Sequence, residues 1–188
     1  MDLVLSIKNN ERDLICACVR KERWAQQLLY EEFYSPLMAV CLRYSKSEDE
    51  AMDLLHESFI KIFRSINKYK PGTSLGAWMR RITVNTAIDY YRRNNRRRTE
   101  NIDTAYNLKS QHADAVSQFS EREILAAVQQ LSPAYRTVFN LYIIEGYSHK
   151  EIAQKMQITE STSRSNLVKA RTKLQKMVNE QYEGRKKS

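Results

Sequence analysis

Glycine and proline are scarce: 188 residues hold four Gly and three Pro. An all-β chain needs more turn residues than that, so a helical protein is the first expectation. Cysteine is scarce too. Cys16, Cys18 and Cys41 are odd in number and sit in apolar helical pattern, which argues against a disulfide framework and for a reducing compartment. No stretch approaches the roughly 18 apolar residues of a membrane span, and Met1 and Asp2 open no basic, apolar leader; a cytoplasmic protein is expected. His56, His112 and His149 lie far apart with no paired metal-ligand spacing, and no Gly-rich loop could cradle a phosphate. Neither a metal nor a cofactor is expected. Disorder is excluded as well, because 42% of the residues are hydrophobic.

What is abundant is positive charge. The formal charge is +9, and its distribution is uneven. Trp78 to Arg98 holds seven Arg against one Asp, and Ser148 to Ser188 holds ten Lys or Arg against four Glu. Ser45 to Ser58 carries five acidic residues and one Lys. Two basic regions imply a polyanionic partner, and the acidic face implies a second partner of another kind.

Apolar residues recur at helical spacing from Arg12 to Tyr44, with Pro36 offering a helix start. In "SKSEDEAMDLLHESFIKIFRSI" Ser47 stands before Glu48, Asp49 and Glu50, acids that suit the positive end of a helix dipole. The buried stripe expected there is Met52, Leu55, Phe59, Ile62, Phe63 and Ile66. Pro71 and Gly72 then mark a turn, and a helix follows from about Leu75 to Arg93. The periodicity fades between Arg96 and Gln118 in a polar stretch too long for a tight connection. A second helical unit follows, with Ser132 as cap and Pro133 at a first helical position. The fold class expected is all-α: two small helical domains, 1–95 and 119–188, joined by a flexible linker, 96–118.

"KEIAQKMQITESTSRSNLVKARTKLQKM", residues 150–177, holds two helical patterns separated by a short break. A helix-turn-helix needs small apolar contacts between two steeply crossing helices. Ile152, Ala153 and Met156 would supply one side, Ile158 the turn, and Leu167, Ala170 and Leu174 the other. Glu160, Ser161, Thr162, Arg164, Ser165, Lys169 and Arg171 would face outward, and Thr159 could cap the second helix. An antiparallel hairpin with a solvated outer face uses the same stripe, so spacing alone leaves both arrangements open.

"LSPAYRTVFNLYIIEGYSHKEIAQKMQITESTSRSNLVKARTKL" resembles region 4 of bacterial sigma factors. "DLLHESFIKIF" followed by "AWMRRITVNTAIDYYRR" resembles their region 2. Order and linker are similar to the extracytoplasmic-function (ECF) group of the sigma-70 family, over about residues 25 to 178. The resemblance implies a dissociable, non-enzymatic subunit that joins core RNA polymerase, positions it at promoters and helps to open the DNA. It implies as partners promoter DNA, both duplex and non-template single strand, and an anti-sigma factor, commonly membrane-bound. No small-molecule substrate is implied.

Carried onto this chain, region 4 places Arg164, Ser165, Val168 and Lys169 at the minus-thirty-five element. Arg pairs bidentately with guanine there, and Val meets a thymine methyl. Arg136, Lys150 and Arg171 are expected on phosphates. Region 2 places Lys70, Arg81, Asn85, Ile88, Arg92 and Arg93 at the melted minus-ten element, with Asn85 on a base and the turn Lys70 to Ser74 around a flipped one. Trp78 and Tyr91 are expected in the core, and Arg96, Arg97 and Arg98 on phosphates. Asp53, His56 and Glu57 match the surface that binds core polymerase. The chain departs from the pattern at Gln157, where Gly is frequent, at Ser163, where an apolar residue is usual, and at Asn166, where Arg is common. Gln157 would carry the strain of a positive φ if the turn is kept. Two rival functions stay open: a helix-turn-helix regulator that acts without polymerase, and a nucleic-acid enzyme using a tyrosine or an acidic cluster.

Overall fold

The computed structural model describes residues 11–98 and 120–186, with side chains through 95 and from 120 to 180. Most of the expected linker, and the side chains of Arg96, Arg97 and Arg98, fall outside the described residues. Those described form helices joined by short turns and loops, with one bridge between Pro71 and Thr73. Two compact units result: 11–41 with 48–87, and 42–47 with 88–98 and 120–186.

In the first unit α1 spans Glu11–Val19, α2 Arg23–Tyr44, α3 Glu48–Ser65 with a 3-10 turn at Ile66–Lys68, and α4 begins at Leu75 and runs to Arg98. The end of α1 is closed by Lys21 in the left-handed region, φ 61°, which brings the Glu22 N–H to the Ala17 carbonyl and the Lys21 N–H to that of Cys18, each at 3.0 Å. Contrary to the expectation from its sequence context, Pro36 does not start a helix. It lies inside α2, on an exposed position where water can reach the backbone group that loses its partner.

α3 buries Leu55, Phe59 and Ile62, continued by Ile66, as its spacing predicts. Ala51 and Leu54 complete the stripe, while Met52 and Phe63 flank it half-buried. Phe59 packs against Tyr30 with ring centroids 4.6 Å apart. At the start of α4 a Cβ on Gly76 would come within 3.3 Å of Phe33 Cε1, so this glycine permits a close approach of α4 to α2. Buried hydroxyls in these long helices return to their own backbone: Ser58 Oγ donates to the Leu54 carbonyl at 2.7 Å and Thr83 Oγ1 to that of Met79 at 3.1 Å.

The second unit is assembled from short pieces. α5 is Glu121–Gln129, α6 is Pro133–Phe139, a π turn covers Asn140–Ile144, α7 is His149–Met156 and α8 is Glu160–Lys186. Ser132 takes the N-cap position of α6 with Pro133 in its first turn, as expected, but its side chain makes no capping hydrogen bond. Its core joins Val128, Leu131, Val138, Leu141, Ile152, Met156, Leu167 and Ala170.

Candidate nucleic-acid interface

The end of α7 and the start of α8 form the turn the sequence anticipates. Ser148 caps α7 with a capping box: Glu151 N–H donates to Ser148 Oγ at 3.3 Å, and the Ser148 N–H and hydroxyl both donate to Glu151 Oε2, at 2.8 and 2.7 Å. Those bonds hold the Glu151 carboxyl below the usual carboxylate range. Gln157 takes φ 58° and ψ 45°, the strained conformation expected where the family pattern has glycine. Through it the Ile158 N–H reaches the Ala153 carbonyl at 3.1 Å. Thr159 then caps α8 by accepting from the Thr162 N–H at 3.0 Å.

Ile152, Ala153 and Met156 face Leu167 and Ala170 within the buried core, as expected, whereas Leu174 is only half-buried because the core ends before it. Arg164, Ser165, Val168, Arg171 and Lys150 are exposed, and Lys169 is half-exposed. Arg164 has one surface ion pair, to Glu160 at 3.2 Å, with 63% of its side chain exposed. Such a pair is worth at most about 1 kcal/mol, so a guanine edge or a phosphate could displace it.

Arg136 departs from its expected place. It is 4% exposed and Nη1 donates to the Gln129 carbonyl at 2.8 Å, at the C-terminus of α5. A cation at the negative end of a helix dipole, supplying a donor to a free carbonyl, explains the burial. It offers no surface to a phosphate here.

Ser163 is fully buried, and its hydroxyl lies 2.9 Å from Nδ1 of His149. The His149 ring stacks on Tyr142 with centroids 4.5 Å apart and an interplanar angle of 23°. Burial, then the charge of Arg164, lower the His149 pKa, against an opposing pull from Glu160. Sequence reasoning marked Ser163 as a departure but missed its partner; a polar residue at a core position of a helix pair was the signal.

In the first unit, residues 70–74 are all exposed, with Gly72 at φ 93°. Tyr69 underlies this loop. Its hydroxyl sits between the Thr73 carbonyl at 2.5 Å and Glu11 Oε1 at 2.7 Å, and its ring lies 5.5 Å from that of Trp78. Burial and the Glu11 carboxylate push the Tyr69 phenol up. Lys70, Arg81 and Arg93 are exposed, and Asn85 and Arg92 are half-buried, with Arg92 3.6 Å from Asp89. Ile88 is 2% exposed and belongs to the core instead of the DNA-facing stripe. It begins the part of α4 grouped with the second unit. Trp78 is half-buried, and Tyr91 is buried, as expected of a core aromatic.

On α3, Asp53 and His56 are exposed, and Glu57 pairs with Lys61 at 3.3 Å. One turn on, Ile60 is 50% exposed and adds an apolar centre to this acidic face. The spacing from His56 and Glu57 could have revealed it. Cys16 is exposed and Cys18 buried, with the Cys18 thiol pushed up to about 11 by burial and by Glu22, so that it stays protonated. Among the described residues no cluster of His, Cys, Asp or Glu could hold a metal, and no helix is long and apolar enough to cross a membrane.

Two family models match the chain, in order along the sequence. Residues 29–97 match the Sigma-70 region 2 family and residues 121–174 match Sigma-70, region 4. The chain is 34% identical over 137 residues to the ECF RNA polymerase sigma factor SigE of Mycolicibacterium smegmatis, a match spanning 70% of this chain and 53% of that relative. It is 26% identical to the RNA polymerase sigma-H factor of Pseudomonas aeruginosa, over 90% of this chain and 94% of that one. The sigma factor RpoE of Bartonella quintana, solved in complex with the anti-sigma factor NepR, aligns with 80% of this chain and 96% of its own at 21% identity and a TM-score of 0.49. Two ordered matches that together take in the helix-turn-helix, the exposed 70–74 loop and the acidic helix place the chain in the sigma-70 family, among the ECF sigma factors.

Proposed function

We infer that the chain binds core RNA polymerase and directs promoter-specific initiation, working in the cytoplasm as a binding subunit that makes and breaks no covalent bond. The observation that carries this reading is the pairing, in one chain, of an exposed helix-turn-helix face with a separate sigma region 2. A regulator built on the helix-turn-helix alone leaves the second match without a purpose.

The proposed division is 1–95 for core binding, minus-ten recognition and melting, 96–118 as linker, and 119–188 for minus-thirty-five recognition. Arg164, Ser165, Val168 and Lys169 face the bases of the duplex, where direct readout uses bidentate cations and apolar contact with thymine. Lys150 and Arg171 hold phosphates, adding affinity without sequence information. Lys70, Arg81, Asn85, Arg92 and Arg93 serve the melted non-template strand, whose unstacked bases need a pocket and whose backbone needs cations. Asp53, His56 and Glu57, around Ile60, dock on polymerase. An anti-sigma factor is the partner that would mask these faces.

The test is transcription by purified core polymerase with and without the full chain, on templates taken from transcript starts mapped after overexpression. Initiation that depends on the chain is the expected result. Absence of such initiation at every promoter, with tight duplex binding and no polymerase, would replace the reading by a free-standing regulator. Arg164→Ala is expected to reduce use of the upstream element about tenfold while leaving core binding intact. Equal promoter activity would remove Arg164 from the interface.

A further inference from the structure

A buried hydroxyl in a helix pair is costly unless it has a partner, and the net value of that bond depends on both groups. Ser163 is fully buried one residue before Arg164 and two before Ser165, the side chains assigned to the bases. Its hydroxyl meets His149 Nδ1 at 2.9 Å, across the turn from the first residue of α7. The imidazole is itself held by stacking on Tyr142 in the π turn. An apolar residue at 163 would be seated by shape alone and would tolerate small slides; a hydrogen bond to a ring fixed by stacking has one good geometry.

We propose that His149 and Ser163 form a positioning pair that sets the rotation of α8 in the turn, so that selection of the upstream promoter element by Arg164 and Ser165 depends on this hydrogen bond. The proposal rests on the sigma-factor reading above. His149 touches no DNA; it acts through Ser163. The charged groups that face it are Arg164, Arg171 and Glu160 on α8, and the first two oppose a charge on the ring. With its folded pKa lowered, His149 is neutral at neutral pH, and protonation in acid puts a third cation beside two arginines. The pair is therefore fully seated above the ordinary imidazole range, and as pH falls through the lowered folded pKa the protonated ring, repelled by Arg164 and Arg171, loosens its hold on α8.

The experiment uses the full chain with core polymerase on one mapped promoter and on the same promoter with its upstream element scrambled. Ser163→Ala and His149→Phe, the latter keeping an aromatic ring against Tyr142, are each expected to cut the ratio of the two activities about three- to tenfold, with core affinity unchanged. The double variant should lose no more than either single one, since both remove the same bond. As pH falls from 8 through the lowered imidazole range the wild-type ratio should fall while that of His149→Phe stays flat; the shared His56 and His112 cancel in that difference. Unchanged ratios, additive losses or parallel pH profiles would overturn the proposal even if the melting temperature drops. If the wild-type chain initiates nowhere, the sigma-factor reading falls and the proposal with it; if it initiates and the variants keep their ratios, only the proposal falls.

Discussion

The two halves of the molecule solve the same problem with different means. Besides the nine-residue α1, the first rests on α2 and α3, of 22 and 18 residues, and on the N-terminal part of the 24-residue α4, long enough for an apolar stripe to carry the association, and its buried hydroxyls bond within their own helix. The second uses helices of nine, seven and eight residues before α8. In a helix that short, most backbone donors and acceptors belong to its ends, so capping groups decide whether it persists. Capping boxes at Ser120 and Ser148, Arg136 on the Gln129 carbonyl and the left-handed Gln157 meet that need. Both halves bury an apolar core, but the second depends more on terminal polar bonds, so substitutions should act on them differently.

The largest expected effect is in the first half. Leu55 is fully buried, and Leu55→Ala should cost about 3 kcal/mol in thermal or urea unfolding, without the pH dependence expected of polar ties. In the second half Arg136→Ala removes a buried donor from a helix terminus and should cost about 2 kcal/mol; a loss under a few tenths would show that the α5 end is satisfied in another way. Ser148→Ala should cost about 1 kcal/mol through the α7 cap. Glu151, with its pKa lowered by the same cap, contributes stability at neutral pH that is lost as pH falls through its folded value. The gap between wild type and Glu151→Gln should therefore close in acid, and a gap that widens there would contradict the cap. The smallest effect has the opposite sign: Gln157→Gly relieves a positive φ, partly offset by chain entropy, and should stabilise by about 0.5 kcal/mol. A destabilised glycine variant would mean that the Gln157 side chain matters more than its backbone.

How much was legible in advance follows the same contrast. The α3 stripe, the Thr159 cap, the positive φ at Gln157 and the exposed face around Arg164 are local in origin, and periodicity or turn chemistry exposes them. Pro36 was misjudged because proline's preference for a helix start yields to tertiary packing when its missing N–H falls on an exposed side. Arg136 and Ile88 were misjudged for a shared reason. Each has the spacing of a surface residue, but burial depends on which other segment covers that stretch, which no helical pattern encodes. The His149–Ser163 bond joins residues 14 apart, and only the left-handed turn between them brings the two together. Tyr69 and Glu11, 58 residues apart, were beyond any local signal.

The π turn at Asn140–Ile144 carries a further consequence. A π turn holds one residue more than an α turn in the same rise, so it absorbs a single-residue insertion in an otherwise regular helix. It brings Leu141 into the core while Tyr142, next in the chain, turns out to meet His149. Deleting Ile143 would remove the extra residue that the wide turn absorbs and let the segment relax to ordinary α-helix. The wide turn thus accommodates Tyr142 on the outside while Leu141 stays in the core, so the length of this short segment matters as well as its composition.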